Sequence, residues 1–184
     1  MYQAGDTALV ITVPEAEPVV AGWRARFDPM AADGIPAHLT VLYPFLPQDR
    51  IDDGVLDALA RLFSGHPAFD VTFRECGRFP GLLHLAPEPD GPVRALTRAV
   101  YARWPEAPPY GGRFGDPAPH VTLTQRQDPA VLDMVEADVR KRLPFGAAVR
   151  SVGLVAYDGT AWSSRAGFPL GSAPAPEEGG QGAT

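Results

Sequence analysis

At 184 residues and a formal net charge of -6, with 45% hydrophobic and 21% charged residues, the chain has the make-up of one globular domain, able to bury about 70% of its unfolded surface. All but one of its 16 basic residues are Arg, and the negative balance argues against long-range capture of duplex DNA, leaving a small or single-stranded ligand as the easier partner. The single cysteine, Cys76, excludes an internal disulfide and a cysteine-cluster metal site; residues 1–13 carry no basic leader and no apolar run nears the roughly 18 residues of a membrane span, so a cytoplasmic protein without membrane contact is expected.

Thr7 to Val13 is a β-branched run suited to a buried strand, ended by Pro14. Val19, Val20, Trp23 and Phe27 recur at helical spacing, and residues 28–37 read as a loop. The loop delivers the chain to a strand, His38-Leu39-Thr40-Val41-Leu42-Tyr43, which Pro44 and Pro47 close. A helix carrying Val55, Leu56, Leu59, Leu62 and Phe63 stops at Gly65. Phe69, Val71 and Phe73 alternate as a strand, and residues 82–86 form another after a turn at Pro80-Gly81.

Pro92 opens a helix whose Val93, Leu96, Val100 and Trp104 share a face. Residues 105–119, with five Pro, three Gly, Tyr110 and Phe114, predict a long irregular loop of the kind that often carries function. It leads into a second strand, His120-Val121-Thr122-Leu123-Thr124. Asp128-Pro129 starts a helix with Leu132, Val135, Val139 and Leu143 inward, and Arg140, Lys141 and Arg142 suit the negative end of its dipole rather than an RNA. Residues 147–157 and 161–168 read as two strands joined around Asp158-Gly159. The tail, 171–184, offers nothing to bury and is expected to be disordered; residues 1–170 then make one domain, a monomer.

The chemistry lies in the repeat. Each of two strands carries a histidine, an apolar residue, a threonine and an apolar residue, so alternation sends His38 and Thr40 to one face and Leu39 and Val41 to the other, as it does His120 and Thr122 against Val121 and Leu123. Chance alone would place Thr two positions after two of four His roughly one time in a hundred. Two such strands on one groove offer two imidazoles and two hydroxyls, parts for moving protons around a phosphate without a metal or other cofactor. Both halves show a helix, a loop, a His-Thr strand and a helix, so an α+β fold of two similar lobes about a central cleft is expected, with the two strands meeting across it.

The residues resemble the 2H phosphoesterase superfamily, which includes the 2'-5' RNA ligase-like proteins and the RNA 2',3'-cyclic phosphodiesterases. Besides the two motifs, His-Leu-Thr-Val-Leu-Tyr-Pro-Phe at 38–45, Leu-Ala-Pro-Glu-Pro at 85–89, Pro-Tyr-Gly-Gly at 109–112 and Pro-His-Val-Thr at 119–122 are similar to bacterial members. The resemblance implies two lobes, each an antiparallel sheet with helices on its outer face, and metal-independent hydrolysis of a 2',3'-cyclic phosphate or 2'-linked phosphodiester on an RNA 3' end or a small nucleotide. His38 and His120 would be the proton-transfer pair, with His120 as base and His38 as acid or the reverse, and Thr40 and Thr122 the phosphate-holding hydroxyls. Relatives often carry a basic residue just after the second motif; here Gln125 precedes Arg126, which shares the parity of His120 if the strand runs on.

Arg126, Thr124 and Tyr43 complete the candidate substrate contacts, against plainer readings. Thr124 also suits packing, and Tyr43, on the face opposite His38, suits the core. His84 alternates with Leu83 and Leu85 and reads as structural although it could approach the cleft; His66 reads as a surface residue, and Cys76 as packing. The four His lack metal-ligand spacing. The rivals to hydrolysis are reversible 2'-5' ligation of RNA at the same site, and a nucleotide-binding module without turnover.

Overall fold

A computed structural model describes residues 2–113, 115 and 117–172. Its elements run β1 (Thr7–Thr12), α1 (Glu17–Phe27), α2 (Pro29–Ala32), β2 (His38–Leu42), α3 (Asp53–Ser64), β3 (Phe69–Phe79), β4 (Leu82–Glu88), α4 (Gly91–Arg103), β5 (Val121–Thr124), α5 (Pro129–Val139), β6 (Phe145–Val149), β7 (Ser151–Tyr157) and β8 (Trp162–Pro169). The helix signals hold at Gly65, the cap residue that ends α3, and at Pro92 and Pro129, which lie in the first turns of α4 and α5. The start of α3, where Asp52 accepts from the Val55 amide at 2.9 Å, carried no reading beforehand.

The fold is α+β, with two four-stranded antiparallel sheets ordered β2-β1-β7-β8 and β5-β4-β3-β6. Helices α3 and α4 pack on the first sheet and α1 and α5 on the second. Alternation along the strands supplies one continuous core: Leu9, Ile11, Leu39 and Val41 from the first sheet, Phe73, Leu83, Leu85, Val121 and Leu123 from the second, and Leu59, Phe63 and Leu96 from the helices.

Chain halves and lobes do not coincide. The first sheet takes β1 and β2 from the start of the chain and β7 and β8 from its end, and the second takes the strands between. Helix α1, which separates β1 from β2, crosses to the second lobe, where Trp23 Nε1 donates to Asp138 on α5 at 3.0 Å. Helix α4 returns the exchange, the Thr97 hydroxyl donating to Val41 O at 2.8 Å.

Other expectations change too, beginning with the loop read over residues 28–37, which holds the short helix α2. The single strand read over 147–157 is two: β6 pairs with β3, and after Arg150 the chain changes sheets and continues as β7 beside β1. Arg150 holds that corner by donating to Phe69 O at 2.9 Å and pairing with Asp70 at 2.8 Å. The strand begun at Phe69 runs on to Phe79 rather than stopping at Phe73. Gly171, read as part of the tail, bridges to Pro67 and accepts from the Ala68 amide; the expected disorder of residues 173–184 lies outside the described residues. Arg140 pairs with Glu136 at 2.6 Å and Arg142 with Asp138 at 3.6 Å, which keeps the basic cluster busy with its own helix. Among the described residues, no helix is long and apolar enough to cross a membrane.

Candidate active site

Edge strands β2 and β5 lie against each other where the sheets meet, which brings the two His-Thr motifs together. His38 begins β2 and His120 immediately precedes β5. Each imidazole is tethered in the same way: Nδ1–H of His38 donates to Pro36 O and Nδ1–H of His120 to Ala118 O, both at 2.8 Å and both two residues upstream. A carbonyl only accepts, so in the neutral ring Nδ1 carries the hydrogen and Nε2 is the bare, basic nitrogen.

The copies share a second device that their sequences conceal. Against β1, Val10 pairs with Thr40 and Leu9 with Leu42, so Val41 is an extra residue; against β4, His84 pairs with Thr122 and Leu83 with Thr124, so Leu123 is extra. A β-bulge after each threonine reverses the alternation beyond it.

That reversal corrects two expectations. Thr124 turns inward: it is 0% exposed and its hydroxyl accepts from the Leu83 amide at 3.2 Å, so it seals the sheet instead of meeting substrate. Tyr43 turns the other way, into a cluster with Val10, whose cross-strand partner is Thr40, so it shares the sheet face of Thr40 and does not lie opposite it. Its hydroxyl is engaged with Asp6 at 3.1 Å and its ring packs edge-on against Trp162. Arg126 loses its strand parity as well. β5 stops at Thr124, the Gln125 amide donates to Phe27 O, and Arg126 adopts a left-handed conformation (φ 54°), exposed beside the end of α1.

Two groups around the motifs went unread in the sequence, and a third, His84, was read as structural although able to approach the cleft. Tyr110, in the Pro-Gly loop, also has φ above zero (51°); its amide donates to Tyr43 O and its hydroxyl is hydrogen-bonded with that of Thr40. The composition of residues 105–119 flagged the loop, but nothing in it singled out this side chain.

Beneath His38 lies a buried ion pair, Arg24–Asp28, 2% and 3% exposed. Arg24 Nη2 donates to Ile35 O at 3.2 Å and Glu17 accepts from the Ala37 amide at 2.6 Å, so both flanks of Pro36, whose carbonyl tethers His38, are held. Asp28 Oδ1 also accepts from the Gln125 side chain at 3.1 Å, joining the approach to the first motif to the exit from the second. Helical spacing of Arg24 and Asp28 was the available signal, but charge at i and i+4 usually marks a solvated face.

His84 faces the second motif. Its ring centroid is 5.2 Å from that of His120 and it stacks on Phe79 at 4.4 Å, while Phe79 stands at 78° to His120. Gly77, its partner on β3, makes the space, since a Cβ there would sit 2.4 Å from His84 Nε2.

Burial disfavours charge at all three rings. His38 is pushed down to about 4, mainly by desolvation, with Arg24 and His120 adding repulsion and the Pro36 carbonyl opposing; His84 falls to about 4 through burial and the nearby His120. His120 is lowered by burial against the pull of Ala118 O. All three imidazoles are therefore neutral near pH 7 in the free protein. Cys76 is half-buried and pushed up to about 11, chiefly by desolvation, so it is no thiolate nucleophile. His66 is partly exposed at the end of α3. Among the described residues no three His, Cys, Asp or Glu groups converge to hold a metal ion.

Two imidazoles, each held through Nδ1, and the hydroxyls of Thr40 and Thr122 on the same two strands are groups of the kind that transfer protons and donate hydrogen bonds. Comparison with known proteins shows the fold. The E. coli LigT apo structure superposes with a TM-score of 0.60 at 21% identity, over 93% of this chain and all of that one. LigT complexed with 3'-AMP gives 0.58 at 20% identity, over 91% and 98%. A Thermus thermophilus protein gives 0.59 at 19% identity, over 91% and 98%. No curated protein sequence matches the chain. The sequence model of the 2'-5' RNA ligase superfamily matches residues 12–161, a span containing both His-Thr motifs, and the chain belongs to that superfamily.

Proposed function

We propose that the chain is a metal-independent phosphodiesterase that opens a 2',3'-cyclic phosphate on a small nucleotide or an RNA 3' end. The observation that carries the reading is the matched pair of Nδ1-tethered histidines on adjoining edge strands. One neutral imidazole takes a proton from water as its oxygen attacks phosphorus; the other, protonated, gives its proton to the departing ribose oxygen. The Thr40 and Thr122 hydroxyls donate to the non-bridging oxygens. Tyr110, bonded to Thr40, fixes where that hydroxyl points. The phosphate monoanion offsets the cost of protonating one buried ring, so substrate itself creates the acid form.

LigT has been crystallised with 3'-AMP, with ATP and with NADP+, which supports a small nucleotide as ligand here. The direct test is incubation with 2',3'-cyclic mononucleotides and short cyclic-ended oligonucleotides in EDTA, with the product identified as a 2'- or 3'-phosphate. Turnover is expected; binding without product would make the chain a nucleotide-binding module. The family's description favours one rival, 2'-5' ligation by the same groups run in reverse. A joined product from oligonucleotide halves, with no hydrolysis, would establish it.

A further inference from the structure

We infer that Gln125, at the exit of the second His-Thr motif, is a positioning residue for His38 of the first, acting through the buried Asp28–Arg24 pair. Its effect on catalysis rests on the phosphodiesterase reading; its effect on the His38 ring does not.

The contacts run without a gap from one motif to the other. Gln125 Nε2 donates to Asp28 Oδ1 at 3.1 Å, and Asp28 Oδ2 accepts from Arg24 Nε at 3.0 Å and pairs with Arg24 Nη2 at 2.9 Å. Arg24 Nη2 also donates to the Ile35 carbonyl at 3.2 Å, one residue before the Pro36 carbonyl that holds His38 Nδ1 at 2.8 Å.

Asp28 is the hub. Burial pushes its carboxyl up, and donation from Arg24, the Met30 amide and Gln125 opposes that. Oδ2 faces Arg24, while Oδ1 is shared by the Met30 amide at 3.1 Å and Gln125. Met30 is a neighbour in the chain; Gln125 is the donor that comes from the second motif. Without it the carboxylate is free to turn, and Arg24 and the Ile35 carbonyl turn with it. A neutral amide suits the place, because Arg24 already balances the buried carboxylate: a further cation would leave excess charge and a further carboxylate would repel it.

Gln125 is aimed by its own backbone. Its amide donates at 2.8 Å to Phe27 O, a carbonyl of the last residue of α1 with no partner inside the helix, and its carbonyl accepts from Gln127 Nε2 at 2.8 Å. The end of β5 and the loop before β2 are thus referred to the same carboxylate.

Gln125→Met keeps the length of the side chain and the backbone bond to Phe27 and removes only the side-chain donor. In 15N-edited spectra of the imidazoles, assigned with His38→Ala and His120→Ala, the His38 ring signal should shift or broaden while that of His120, nearer in sequence to the substitution, stays in place. On a 2',3'-cyclic mononucleotide kcat should fall about tenfold with KM changed by no more than about twofold. In the Arg24→Met/Asp28→Leu background, which has no carboxylate to hold, Gln125→Met should add no further fall. A local role predicts the reverse: movement of the His120 signal alone, or the full additional loss in that background, and either result overturns the inference. An unmoved His38 signal overturns it whatever the activity does. Should the wild type turn over no cyclic phosphate, the phosphodiesterase reading fails, and the ring signals, which need no turnover, still decide the role of Gln125.

Discussion

The two His-Thr motifs share a backbone design and differ in what surrounds it. Each begins with a histidine bonded through Nδ1 to the carbonyl two residues back, and each has a bulge after its threonine. Around His38 the supports are charged and buried: Arg24, Asp28 and Glu17 hold the loop before it. Around His120 they are rings, His84 and Phe79. Under the proposed function the common part fits what both motifs would do at one phosphate, and the unlike part belongs to each motif alone. A cation network is costly to bury and fixes geometry; an aromatic pair packs without charge.

The comparison predicts equal effects where the copies agree. His38→Ala and His120→Ala should each lower kcat by roughly 10²–10⁴-fold with unchanged circular dichroism, and the double variant should lose little more. A large loss from only one would show that the two rings are not partners.

Effects should diverge where the supports diverge. Arg24→Met strands the Asp28 carboxylate in the interior and should cost about 3–5 kcal/mol in chemical denaturation. Adding Asp28→Leu should recover most of that stability while kcat stays low, because the Ile35 carbonyl is still unheld. Recovery of kcat together with stability would reduce the pair to a structural role.

Acid stability probes the rings. His38 and His84 have folded-state values of about 4, below the ordinary 6.5, so the unfolded chain binds more protons between those limits. Their contribution is intact above pH 6.5 and is lost as pH falls from there to about 4, by at most ~3 kcal/mol per ring. Melting temperature measured across that range should drop, and His84→Phe should flatten part of the drop. An unchanged slope in that variant would mean His84 is not held neutral by its pocket.

The smallest effect is expected at Tyr110. Tyr110→Phe removes one hydroxyl bonded to Thr40 and should lower kcat several-fold, in line with the ~1 kcal/mol of a typical hydrogen bond. No change would show that Thr40 orients itself.

How far this protein could be read in advance follows the range of the forces involved. The recurrence of His-x-Thr, the helix stop at Gly65, the helix start at Asp128-Pro129 and the hairpin at Asp158-Gly159 depend on residues a few positions apart, and these were visible in the amino-acid order. So was the family resemblance, since motif spacing survives without knowledge of pairing. The bulges at Val41 and Leu123 belong to pairs of strands, and neither member carries a local mark of them; that is why parity misplaced Thr124, Tyr43 and Arg126. The change of sheet at Arg150, the burial of Arg24 and the meeting of His84 with Phe79 and His120 likewise arise from contacts between distant segments. Local order along the chain selected the chemical groups; long-range strand pairing and core closure set which of them face the cleft.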